Sequence, residues 1–265
     1  MANWHALSKE KHENSGWVAP TGYPQAKQDA MTPLLVAELS HAIAYFPIVF
    51  APVAEGRYQL NALLSVESGT NLFLTAQNKW MVPYVPASYR STPFNMLPNE
   101  NGEFVLAVDM DSEFFHLEAQ AGDRAVLVDG QPAEDMASLI EFMRHRVAQQ
   151  KQTNELVQQL SEANLIEAWP IEFKVGPAEE DVRRVNGLFR INEPALMALP
   201  EQTLAELTKS GALAMAYAQL LSQARLQDLQ QRYAIFKQQM TPESTEAVDL
   251  DKLFDGDSEG DVFSF

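Results

Sequence analysis

Apolar residues change their spacing near Pro132. Before it they come in short runs, over residues 48–52, 58–66, 72–75, 80–85, 104–108 and 125–128. The separators are Glu67-Ser68-Gly69, Gln77-Asn78-Lys79, Asn99-Glu100-Asn101-Gly102 and Asp129-Gly130. Such residues turn a chain because they tolerate a left-handed backbone or hydrogen-bond their own main chain. The pattern predicts a curved antiparallel sheet or half-barrel. Ahead of it, a short helix is predicted over residues 37–45, ending before Pro47 because the residue preceding a proline avoids the helical region.

Beyond Pro132, Met136, Leu139, Ile140, Met143 and Val147 recur at helical spacing. Thr153 reads as the cap of a second helix carrying Leu156, Val157 and Leu160. Residues 171–175 and 184–191 predict two more strands around an acidic turn at 176–181. Helices return at 201–210, stopped by Gly211, and from 212 to about 239, with Leu213, Tyr217, Leu220, Leu221 and Ala224 assigned to one packed face. Strands first and helices later define an α+β fold of packed helices following a sheet.

The two ends read differently from the middle. Residues 1–33 mix polar side chains with Gly16, Pro20, Gly22, Pro24 and Pro33, and are expected to lie as an arm over a domain spanning 34–240, anchored by Trp4, Trp17 and Tyr23. Residues 241–265 hold eight Asp and Glu against Lys252 alone, which is −7 of the chain's net −17. Their apolar residues Leu250, Leu253, Phe254, Val262, Phe263 and Phe265 are interspersed with those acids. A segment of this composition is expected to be disordered by itself and to order against a protein partner.

The charge also bears on partners. A chain of 265 residues with 19 Lys and Arg against 36 Asp and Glu, and no cationic run, is expected to avoid nucleic acid. It contains no Cys, so thiol nucleophiles and Cys-based metal sites are excluded. Lys9, Glu10, Lys11 and Glu13 stand where a secretory signal would be apolar, so a cytoplasmic location is expected, with export by a non-Sec route as the alternative. The longest apolar segment, 42–54, is too short to span a bilayer and contains Pro47 and Pro52.

Candidate chemistry is sparse. His116-Leu117-Glu118 has a spacing that puts both side chains on one face of a strand, as a two-His-one-carboxylate iron site would need. Ser8 and Lys11 have the spacing of a nucleophile and its base but lack the companion motifs. Residues 255–261 imitate the opening of a calcium loop whose twelfth position would fall past Phe265. Trp80, Tyr84, Tyr89, Arg90 and Phe94 form an aromatic run that suits either a stacking platform for a ligand or a core at a sheet bend. Neither catalytic residues nor a cofactor are expected.

Four blocks carry a resemblance. They are Tyr45-Phe46-Pro47-Ile48-Val49-Phe50; Leu63-Leu64-Ser65-Val66 with Gly69-Thr70-Asn71-Leu72-Phe73; Tyr84-Val85-Pro86-Ala87-Ser88-Tyr89-Arg90; and Gly187-Leu188-Phe189-Arg190-Ile191-Asn192-Glu193. In order and spacing, over residues 31–233, the chain resembles the bacterial SapC family, which takes its name from a surface-layer association and is distinct from the permease that shares it. The resemblance carries over no catalytic residues. It implies an accessory role, because family members are often encoded beside flavin-dependent halogenase-like enzymes, cupin-like hydroxylases and TonB-dependent receptors. The leading expectation is therefore a non-catalytic binding protein that associates with such a modifying enzyme or its peptide or protein substrate. A surface-layer or exported structural component is the second expectation. An oxygenase using iron and 2-oxoglutarate through His116 and Glu118 is the third.

Overall fold

The computed structural model of the protein describes residues 3–174 and 182–240. The chain opens with β1 (Trp4–Ala6), α1 (Lys9–His12), β2 (Gly16–Trp17), β3 (Met31–Pro33) and α2 (Leu39–Ala42), the last entered through a 3-10 turn at Val36–Glu38. The hairpin of β4 (Ile48–Ala54) and β5 (Arg57–Leu63) follows, then a long irregular stretch, then the hairpin of β6 (Phe94–Pro98) and β7 (Phe104–Asp109). Four two-residue strands come next: β8 (Phe115–His116), β9 (Arg124–Ala125), β10 (Leu127–Val128) and β11 (Gln131–Pro132). The long helix α3 (Ala137–Glu162) leads to β12 (Ile166–Ala168), β13 (Ile171–Lys174), β14 (Val182–Val185) and β15 (Phe189–Ile191). Helices α4 (Glu193–Met197), α5 (Glu201–Ser210), α6 (Ala212–Ser222) and α7 (Arg225–Met240) end the described chain.

The class is α+β, as the pattern predicts, with antiparallel pairing and no closed barrel among the described residues. The largest sheet has the order β12-β15-β4-β5-β3. Pro52 is tolerated inside β4 because β15 pairs with that strand only at Phe50, so no neighbour asks the proline for an N–H. A second sheet, β1-β7-β6, leaves β6 at its edge. A third, β8-β2-β9, needs Gly16, where an added Cβ would meet the Asp123 side chain at 2.6 Å. Among the described residues no helix is long and apolar enough to cross a membrane.

Two apolar cores result. The larger lies around the five-stranded sheet, with Phe46, Phe50 and Phe73 on one side and Leu160, Met215 and Tyr233 from the helices. The smaller gathers Trp17, Phe94, Val108, Phe115, Met136 and Met143, with Trp17 and Phe94 in an edge-to-face contact at 5.5 Å. Helix α3 serves both: Met143 enters the smaller core, and Leu156, Val157 and Leu160 enter the larger.

Several expectations change. Residues 1–33 are not merely an arm over the domain: β1, β2 and β3 join three different sheets, and Ala26 and Trp17 are core residues. The partners of β1 and β2, such as Val108 for His5 and His116 for Gly16, are about a hundred residues away and leave no local trace. Residues 72–75 and 80–85 do not form strands but meet at a single bridge, Leu74 with Trp80. The region from 137 to 162 is one helix. Thr153 does not start a second one, because its Oγ donates back to the Gln149 carbonyl at 2.7 Å and accepts the Val36 N–H at 2.9 Å. It thus satisfies the first turn of a neighbouring segment. The last helix is two, α6 and α7, interrupted at Gln223 and Ala224. The acidic turn at 176–181 and the acidic tail at 241–265 lie outside the described residues.

The inner face of α6 also differs from expectation. Ala212, Met215, Ala216, Gln219 and Ser222 point inward, while Tyr217 and Leu221 are 44% and 67% exposed. The reason is the sheet end beneath the helix, where β4 and β15 no longer pair and their main-chain groups need partners. Gln219 supplies two, accepting the Ile191 N–H at 2.9 Å and donating to the Ile48 carbonyl at 3.0 Å. Ser222 accepts the Ile48 N–H at 2.9 Å. Small residues let the helix come close, and Gly211, at φ 94°, gives the left-handed turn between α5 and α6. Gln219→Leu keeps the volume but strands two buried main-chain groups. It is expected to lower stability by about 2–4 kcal/mol, read as a reduced urea midpoint at unchanged slope.

Candidate binding cleft

Because α3 is longer than either core, its middle passes between them. The space it crosses is a cleft of about 1390 Å³. One wall is α3, presenting Gln150, Lys151, Asn154, Glu155, Gln158 and Gln159. The opposite wall is β6 with Asn95, Met96, Leu97 and Pro98, extended by Phe104. Pro33, Leu35, Glu38, Arg57, Gln59 and Ser88 contribute from the larger core's side, and Arg146 from α3. Side chains of a strand alternate between its two faces, so a cavity touching four successive residues runs along the strand's edge. Among the described residues no strand pairs with that edge, since β6 ends its sheet.

Glu38 fixes the base of the cleft. Its side chain is buried, the residue being only 5% exposed, and a buried carboxylate is tolerated only with its oxygens satisfied. One oxygen accepts the Leu35 N–H at 2.9 Å, closing the 3-10 turn at Val36–Glu38. The other accepts the Tyr84 hydroxyl at 2.8 Å and the Ala87 N–H at 2.7 Å. Burial first, and then the hydrogen bond to Glu38, push the Tyr84 phenol well above its ordinary value, so it remains a donor. On the outside, Tyr84 is stacked with His41 at 5.3 Å, and the Arg90 guanidinium lies 4.8 Å from its ring centre.

Arg146 reaches from α3 across the gap. It donates to the Ser88 carbonyl at 3.5 Å and to the Asn95 side-chain oxygen. Burial lowers the pKa of its guanidinium and the Glu38 charge opposes that shift, yet an arginine stays charged at any working pH. Among the described residues no carboxylate forms an ion pair with it. The site is therefore a desolvated cation beside apolar β-strand surface and a row of amides.

The residues singled out from sequence are distributed otherwise. Trp80 is half-buried against Phe46 at 6.1 Å, Tyr23 at 6.2 Å and Tyr89 at 5.6 Å. Tyr89 is buried and donates to Asp29 at 2.8 Å, burial raising its phenol as well. Trp80, Tyr84, Tyr89 and Arg90 thus gather in one region, whereas Phe94 is 1% exposed in the smaller core. None of the five lines the cleft, although Tyr84 braces it through Glu38. His116 Nδ1 lies 2.7 Å from an oxygen of Asp123, whose carboxyl is held below its ordinary range by the Gln120 N–H and then by His116. Glu118 is exposed, and no group of three His, Asp or Glu among the described residues is placed to hold a metal. Leu250, Leu253, Phe254, Val262, Phe263 and Phe265 lie outside the described residues.

Sequence reasoning missed Glu38, Asn95 and Arg146. One signal was available for the arginine: continued at spacings of three and four from Met143 to Leu160, the inner stripe of α3 passes through Arg146, Gln150 and Thr153. That polar interruption marks where the two cores part. Glu38→Gln would turn one accepting oxygen into an NH₂ facing a donor. It is expected to cost about 2–3 kcal/mol in chemical denaturation and to expose the 84–87 segment to proteolysis.

No curated protein and no solved structure matches the chain at a significant level. The profile of one family does match it, over residues 7–229, a span that takes in β2 and Trp17 as well as the blocks that carried the resemblance. On that match the chain belongs to the SapC family.

Proposed function

We propose that this protein is a non-catalytic accessory factor that binds an extended polypeptide segment along β6. The segment would belong to a modifying enzyme of the flavin-dependent halogenase-like or cupin-like hydroxylase kind, or to that enzyme's peptide or protein substrate. The observation that carries the reading is the free edge of β6 facing the amide-rich wall of α3 across a cleft of about 1390 Å³. An incoming strand would pair with the Met96 N–H and with outward carbonyls of β6, its side chains would meet Met96, Leu97 and Phe104, and the α3 amides would pair with its other main-chain groups.

The chemistry of the cleft supports binding more than turnover. Glu38 has both oxygens occupied by three donors, which leaves it poorly placed to accept a proton from a substrate. The neighbouring genes implied by the resemblance favour the same reading, and with it a cytoplasmic place of action. The test is a photoreactive benzoylphenylalanine in place of Phe104, which is 48% exposed at the rim. In the native host it should cross-link one defined polypeptide, while the same probe at Ile235, on α7, should not. Capture at Ile235 with none at Phe104 would overturn the proposal.

A further inference from the structure

We infer that Arg146 anchors a single carboxylate, so that the segment bound along β6 is an acidic peptide. The inference rests on the cleft reading above and adds to it the chemistry of the ligand. Of the five N–H groups of the guanidinium, the described contacts engage one on each terminal nitrogen, to Ser88 and Asn95. Those two acceptors are neutral, and they hold the plane of the group while leaving its remaining donors for a ligand. Glu38, the nearby opposite charge, is committed to Leu35, Tyr84 and Ala87 and makes no ion pair with it. Burial lowers the arginine's pKa, which reports how little water screens it. A desolvated cation without an ionic partner is costly, and a carboxylate arriving in two parallel hydrogen bonds offsets that cost.

The surroundings select the anion. Arg57 and Lys151 share the cleft with Glu38, Glu155 and Glu162, so these walls carry little net charge of their own and a monoanion suffices to pair with Arg146. The length of the wall selects a peptide: a free ion would fill only the base, while Met96, Leu97 and Phe104 offer apolar contact beyond it. A strongly anionic chain, at net −17, thus keeps a local site for an acid by excluding water from one arginine.

The experiment is a displayed library of random dodecapeptides selected on the full-length protein and on its Arg146→Lys, Arg146→Met and Phe104→Asp variants. The wild type should enrich sequences with Asp or Glu at one fixed place among alternating apolar residues, and an enriched peptide should bind about tenfold or more tightly than its Asn or Gln analogue. Arg146→Lys, which keeps the charge and loses the planar fork, should shrink that ratio, and Arg146→Met should abolish it. Binders that show no acid preference, that keep it in Arg146→Met, or that yield to inorganic phosphate more readily than to acetate would overturn the carboxylate anchor and leave the cleft reading standing. A failure to obtain binders, or binders indifferent to Phe104→Asp, would overturn both.

Discussion

A carboxylate removed from water must find donors, and Glu38 finds three of them on two separate pieces of chain. Through Leu35 it shapes the turn that leads into α2, and through Tyr84 and Ala87 it pins the irregular stretch between the two hairpins. That stretch has almost no ladder of its own, its regular features being the bridge of Leu74 with Trp80 and a 3-10 turn at Ala87–Tyr89. Without the carboxylate, the path that carries the chain from the larger core to β6 would keep the packing of Trp80 and Tyr89 and the hydrogen bonds of Ser88 and Tyr89, but would lose its ties at Tyr84 and Ala87. The position of β6, and so the width of the cleft, depends on this polar knot.

The long helix supplies the complementary constraint. Met143 and Leu160 sit in different cores, so the distance between the cores is fixed by the rise of an α-helix between those residues. Arg146 and Gln150 occupy the stretch that neither core covers. Polar side chains of α3 tie it to other elements: Thr153 caps the turn at Val36, Arg146 joins the Ser88 carbonyl to Asn95, and Ser161 donates to the Gly56 carbonyl. The seam between the cores is therefore polar and ordered, which is the condition under which a cleft keeps its shape while empty and a ligand need not supply the energy to form it.

How much of this the sequence disclosed follows from how local each cause is. The strands β4 and β5 and the α5 stop at Gly211 were legible, because an apolar run and a left-handed glycine act over a few residues. The burial of Trp17 and the pairing of His5 with Val108 were not, because the partners are far along the chain. The face of α6 misled for a different reason: its larger apolar side chains, Tyr217 and Leu221, point outward, and the inward face is chosen by main-chain groups of β4 and β15 that no hydrophobic pattern can reveal. The aromatic run was conspicuous in sequence, yet the cleft is lined by residues of ordinary type whose importance lies in where two cores leave a gap.

The central claim is that the cleft between the cores, and no other surface of the domain, is where the protein meets its partner. Amide hydrogen exchange on the full-length chain, with and without the polypeptide captured at Phe104, addresses it directly. The account predicts added protection over residues 94–98 and along α3 between 146 and 159, with the helices α5 and α6 unchanged. Protection confined to the exposed face of α6 at Tyr217 and Leu221, with β6 exchanging as before, would contradict it.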